Sequence, residues 1–215
     1  RDKENTRYCL KIDVRKFYPS IDHDVLKQVI RRRIKCADTL KLLDTIIDST
    51  DGVPIGNYLS QYFANLMLAY FDHWIKEVKR VRYYFRYADD MVFLSSSKEE
   101  LQALLKEIKA YLATLKLSLK GNEQVFPIAE NRNDKHGRGL DFVGFVFYHN
   151  QTLIRKGIKK NFCRAAARLN KRNDISAAEY KQRLCSWFGW AKVCNSKHLL
   201  KTIIKPQFYE TCILR

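Results

Sequence analysis

Apolar and polar residues alternate along residues 7–14 (RYCLKIDV), a run rich in Ile, Val and Tyr, and this period of two predicts a strand. From Asp22 to Ile34 the apolar positions recur at helical spacing instead, and Asp22 is placed to cap the first turn. A second helix is predicted over 39–48. The Gly and Pro content of 51–57 marks a loop, whereas 59–79 is amphipathic, lacks both residues, and predicts one continuous helix. Two β-rich runs, 82–87 and 91–94, flank Ala88-Asp89-Asp90 and read as a hairpin. Helical periodicity returns over 98–115, with Ser97 and Glu100 in a capping-box pattern. Short strands are predicted at 117–119, 124–128, 140–148 and 151–155, and the polar stretch 130–139 as a mobile loop. From Ile158 onward the pattern is helical in three segments, with breaks near 173–174 and 194–195 and a kink at Pro206.

This order predicts an α+β domain, residues 1–155, in which an antiparallel sheet packs on helices, followed by a small all-helical domain, 156–215. A composition of 46% hydrophobic and 29% charged residues is that of an ordinary globular chain. Its apolar runs are too short to span a bilayer, and no export leader is visible. The cysteines at 9, 36, 163, 185, 194 and 212 form no C-x-x-C pair, which argues against zinc and for thiols in a cytoplasmic setting. The net charge of +17 is unevenly spread. Residues 151–215 hold 15 Lys/Arg against 3 Asp/Glu, while the rest of the chain is nearly balanced. Clustered cations reward a polyanion through counterion release, so the basic end points to nucleic acid in preference to a merely solvated surface.

Two groups of carboxylates are not explained by folding. Asp13 lies in an otherwise apolar strand, and Asp89 and Asp90 sit at a hairpin tip. Adjacent like charges repel, and a half-buried Asp costs desolvation. A divalent cation relieves both costs, and magnesium prefers such hard oxygen ligands. If the first strand pairs beside the hairpin, the site can hold two ions about 3.5–4 Å apart, the arrangement that clamps an in-line phosphoryl transfer. Asp-Asp is also an ordinary turn pair, and on these residues alone the two readings weigh equally.

The surrounding motifs shift that balance. Residues 87–90 (YADD) resemble the Y-x-D-D box of reverse transcriptases. Residues 13–23 (DVRKFYPSIDH) resemble that family's first catalytic motif, 52–65 (GVPIGNYLSQYFAN) its substrate-and-template loop and helix, and 140–145 (LDFVGF) its primer-grip hairpin. The resemblance implies an RNA-directed DNA polymerase with a palm and a helical thumb, using two Mg2+ ions (Mn2+ as a possible substitute), an RNA template, a DNA or RNA primer and dNTPs. Asp13 and Asp89 would be the main metal ligands, with Asp90 assisting and the Val14 carbonyl reaching a metal. Tyr18 would exclude a ribose 2′-hydroxyl, although a core aromatic fits the pattern as well. Gly52, Pro54, Ile55, Gly56, Ser60 and Gln61 would line the nucleotide and template, and Phe142, Val143, Gly144 and Phe145 would hold the primer end. Lys120 would donate a proton to pyrophosphate, with Lys116 an equal rival.

One departure narrows the resemblance. The Q-G-x-x-x-S-P form of group II intron and retroviral enzymes reads here Ile55-Gly56 through Ser60-Gln61, which is similar to the reverse transcriptases of diversity-generating retroelements. That branch implies error-prone copying in a bacterial or phage setting, assisted by a basic accessory protein. Ile55 in place of an amide would remove a hydrogen-bonding check on base-pair geometry. Group II-like, retron and phage-defence enzymes are the alternative, and a non-catalytic nucleic-acid-binding unit is a third. The family's fingers precede its first motif, so the chain reads as palm plus thumb. In the tail, Lys156, Lys160, Arg164 and Arg168 form a cationic ridge opposite the stripe Ile158, Phe162, Ala165 and Leu169. Such a ridge suits a sugar-phosphate backbone. Trp187 and Trp190 are predicted to be buried with Leu184.

Overall fold

The computed structural model describes residues 2–54, 56 and 58–213, and these form two compact units that divide between Pro127 and Ile128. The first is built on a four-stranded antiparallel sheet in the order β2-β3-β1-β4, from β1 (Tyr8–Asp13), β2 (Tyr83–Tyr87), β3 (Asp90–Ser95) and β4 (Gln124–Pro127). Alternation along β1 and β3 puts Leu10, Ile12, Met91 and Phe93 on one face, all essentially fully buried. Against that face pack α5 (Lys98–Thr114), through Leu101, Ile108 and Leu112, and the helical layer of α1 (His23–Arg33), α2 (Ala37–Ile47) and α3 (Tyr58–Met67). The capping residues behave as their chemistry dictates. Asp22 accepts from Val25 N at 3.0 Å, and Ser97 from Glu100 N at 3.1 Å. The Glu100 carboxylate, however, takes the Ser95 hydroxyl rather than reaching back to the cap.

The stretch expected as one helix over 59–79 is three pieces: α3, then α4 (Ala69–His73), then a π-helical turn, Trp74–Val78. The buried residues Phe63, Met67, Phe71 and Ile75 recur every fourth position. A strict repeat of four outruns a turn of 3.6 residues, so a straight helix would carry this row off the core; the break at Leu68 and the wider final turn bring it back. The strand expected at 117–119 is reduced to a single bridge between Leu119 and Val14.

The second unit holds a three-stranded antiparallel sheet of β5 (Leu140–Phe142), β6 (Phe145–Phe147) and β7 (Thr152–Ile154), with helices α6 (Lys156–Asn170), α7 (Ala177–Lys192), α8 (Lys197–Ile203) and α9 (Pro206–Ile213). The unit boundary thus falls after β4 and not near 155. Ile154 shares a core with Phe162, Tyr180, Leu184 and Phe188, so the small sheet packs with the basic helices. Residues 140–148 are two strands rather than one, folded at Val143-Gly144, both with positive φ. A Cβ on Gly144 would run into the Trp190 ring, so glycine is required there. Pro206 does not kink a helix but opens α9, where its missing N–H costs nothing. Trp187 stacks on Phe162 and Trp190 lies against Phe145, both partly buried as expected. No disulfide joins the six cysteines. Among the described residues no helix is long and apolar enough to cross a membrane.

Candidate active site

β1 ends and β3 begins at the same sheet edge, where Asp13 and Asp90 are directly paired across the strands. Facing residues of an antiparallel pair project to the same side, here the side away from the helical core. Asp89 sits in the two-residue turn before β3, and its carbonyl accepts the Val14 amide at 3.3 Å, which fixes the turn against β1. Burial first, then the neighbouring Asp13 carboxyl, holds Asp89 above its ordinary value. Asp13 Oδ1 is buried without a hydrogen-bond partner, while its Oδ2 takes the Lys120 ammonium at 2.6 Å. That hydrogen bond, with the charges of Asp13, Asp89 and Asp90, holds Lys120 above its usual value. Lys11, two residues before Asp13 on the same face, pairs with Asp90 at 3.2 Å.

The neighbouring carboxyls of Asp13 and Asp89, with Asp13 Oδ1 lacking a donor, form a hard-oxygen donor set that a divalent cation fits. Among the described residues no group of three or more His, Cys, Asp or Glu gathers into a cage. That is compatible with magnesium, which is usually bound through one or two carboxylates with substrate oxygens and water completing the shell.

Of the two rival lysines only Lys120 reaches this edge. Its amide donates to Asp13 O, whereas Lys116 turns to Asp22 at 2.6 Å. Tyr18 lies in a 3-10 turn (Tyr18–Ser20), partly buried on the core, and its carbonyl accepts Val53 N–H at 3.0 Å. Gly52 has φ +67°, and a Cβ there would lie 2.5 Å from Tyr18 O, so this glycine is dictated by close approach; at Gly56 a Cβ would meet open space. Ser60 is buried and donates to Pro54 O; Gln61 is exposed on α3. Ile55 lies outside the described residues. The expected primer-holding residues 142–145 and the cations Lys156, Lys160, Arg164 and Arg168 belong to the second unit, where all four cations are exposed.

Sequence reasoning overlooked a network that holds the turn. Arg86 grips Asp72 through Nε at 2.8 Å and Nη2 at 2.5 Å, and through Nη1 reaches Asn65 and the Ala88 carbonyl at 3.0 and 3.1 Å. Tyr84 adds its hydroxyl to Asp72 at 2.7 Å, and burial pushes that phenol well above its usual range. Ala88 itself has φ +51°, a left-handed conformation that costs an L residue about 1–2 kcal/mol. The alternation of Tyr84 and Arg86 on β2 was a usable signal for this face. Their partners, on helices α3 and α4, were not legible. The outer face of β2 carries the exposed rings of Phe85 and Tyr87, and α3 exposes Tyr58 and Tyr62 one turn apart.

The family profile described as "Reverse transcriptase (RNA-dependent DNA polymerase)" matches residues 1–126. Protein YkfC of Escherichia coli (strain K12) is 25% identical over a match covering 70% of this chain and 48% of its own length. Apo telomerase from Candida tropicalis has a TM-score of 0.54 at 13% identity, covering 94% of this chain and 44% of that one. Telomerase from Candida albicans in complex with a fragment of telomeric RNA has a TM-score of 0.55 at 12% identity, covering 93% and 42%. At these identities the structural likeness speaks for the fold alone. The chain spans about half the length of the curated relative and less than half of these structures.

Proposed function

Because the chain belongs to the reverse transcriptase family, we propose that it is the palm and thumb of an RNA-directed DNA polymerase that adds deoxynucleotides to a primer 3′-hydroxyl. The observation that carries this reading is the approach of Asp89, in the turn, to Asp13 at the end of β1, where Asp13 Oδ1 is buried without a hydrogen-bond partner. Asp13 and Asp89 would hold two Mg2+ ions, with Asp90 assisting. The chemistry such ions would supply there is acidification of the 3′-hydroxyl and neutralisation of charge on the leaving pyrophosphate. Everything else falls to the protein. Tyr18 presents its ring beneath the sugar and excludes a 2′-hydroxyl by bulk. Lys120, kept protonated by its acidic neighbours, releases Asp13 and donates its proton to the departing pyrophosphate. The hairpin at 142–145 holds the primer end, and the exposed ridge Lys156, Lys160, Arg164 and Arg168 follows a backbone without reading sequence.

The test is Mg2+-dependent primer extension on an RNA template by the full-length chain. Asp89→Asn is expected to lower extension by more than about 100-fold, since even outer partners of a metal site are worth 10–100-fold. Extension that survives this change, or that needs no divalent cation, refutes the reading.

Within the family we place the chain in the error-prone, diversity-generating branch, on the strength of Ile55 and Gln61 in the loop motif. An Ile55→Gln variant is expected to misincorporate less opposite adenine. An unchanged error spectrum would leave group II-like, retron or phage-defence enzymes as the better assignment.

A further inference from the structure

A chain of contacts runs from the beginning of α1 to the backbone of Tyr18, the residue assigned to sugar selection. His23 opens α1, with Nε2 2.7 Å from Gly52 O and Nδ1 3.1 Å from Asp48 Oδ1. Asp48 closes α2 and is itself held by the Lys27 ammonium at 2.6 and 2.7 Å. On its other side the same short strap, residues 52–53, is fastened to Tyr18. Val53 N–H donates to Tyr18 O at 3.0 Å, and Gly52 lies so close to Tyr18 and Pro19 that no side chain would fit. The strap is therefore pinned between two points, His23 and the backbone of Tyr18. Gly52 O and the Asp48 carboxylate are both acceptors, so the imidazole serves both when each nitrogen carries a proton.

We propose that His23 is a positioning residue for sugar selection, which fixes Tyr18 by clamping the Gly52–Val53 strap against it. The inference rests on the reading of Tyr18 as the residue that excludes a 2′-hydroxyl. Exclusion by bulk works only if the ring cannot yield, and small displacements at a reacting site are costly. Without the bond to Gly52 O the strap slackens, the Tyr18 backbone moves with it, and a ribose fits. His23 touches no substrate and acts through the strap alone.

Two substitutions separate this role from a general loss of stability. His23→Gln places its amide near the position of Nε2 and can still donate to Gly52 O; His23→Asn reaches only the position of Nδ1, on the Asp48 side. In the full-length chain, kcat and KM are measured for a dNTP and its matching rNTP, with Tyr18→Val as reference. His23→Asn is expected to reduce the preference for dNTP about tenfold, the size of one hydrogen bond, through a lower KM for rNTP. His23→Gln is expected to stay within about twofold of the native chain. Hydrogen exchange at the Val53 amide gives a readout free of catalysis, and is expected to quicken in His23→Asn but not in His23→Gln. Equal losses for both nucleotides in both variants, or unchanged Val53 exchange in His23→Asn, overturn the proposal. If Tyr18→Val relaxes selection while His23→Asn does not, His23 alone was misassigned. If Tyr18→Val changes nothing, the sugar-selecting ring was misassigned and the proposal falls with it.

Discussion

Asp22 shows how one carboxylate can serve two distant parts of the chain. Its Oδ1 caps α1, and its Oδ2 takes Lys116, a residue 94 positions away. The Lys116 ammonium first, then the Val25 amide, holds the carboxyl below its usual value. A carboxyl depressed in the folded state contributes stability that is fully present above its unfolded pKa and is lost as pH falls through the folded one. Asp22→Ala is therefore expected to cost about 1 kcal/mol at neutral pH, the worth of an N-cap, with the deficit shrinking in acid. Urea denaturation at pH 7 and pH 3 checks this; a deficit that grows in acid would contradict it. The cap was legible from sequence, because an Asp before an apolar-periodic run has local work to do. The lysine was not, since nothing local distinguishes Lys116 from its exposed neighbours. The same holds at Lys120, which local sequence ranks equally with Lys116 and which only the path of 118–120 beside β1 brings to Asp13.

At the scale of elements, the β2–β3 hairpin depends on the helices behind it. A turn containing Ala88 at positive φ is strained, and the Arg86 contacts to Ala88 O, Asn65 and Asp72 offset that strain from outside the hairpin. The Arg86 side chain keeps only 12% of its exposure and Asp72 keeps 30%. Breaking a fully buried pair costs 3–5 kcal/mol; with Asp72 partly solvated, Arg86→Ala is expected to cost about 2 kcal/mol. A double-mutant cycle with Asp72→Ala should return a coupling above about 0.5 kcal/mol, and additivity of the two would show that the pair does not hold the turn. The helix expected over 59–79 teaches a related lesson. Periodicity revealed that the segment was helical, but the break at Leu68 and the π turn follow from where the core lies.

For the molecule as a whole, charge is expected to govern association with nucleic acid. Each phosphate neutralised contributes roughly −0.9 to the slope of log K against log salt on a duplex. Replacing Lys156, Lys160, Arg164 and Arg168 by Gln is expected to flatten that slope by about 3–4 for an RNA–DNA duplex, with weakening that is uniform across sequences. An unchanged slope in a salt titration would remove this ridge from the interface.

The sequence by itself determined the class of fold, most strands and helices, the acidic pair at the hairpin tip, the cationic ridge of α6 and the family to which the chain belongs. All of these are written in local order: a period of two or 3.6, a cap, a turn, a motif. Tertiary structure alone decided that β7 packs with the helices that follow it, that Lys120 and not Lys116 meets Asp13, that Arg86 reaches the turn it precedes, and that His23 holds the strap behind Tyr18. Each of these joins elements that are remote in the chain, or turns on which way a side chain faces once they pack. Such contacts exist only when the core has fixed the elements against one another, and no local pattern encodes them.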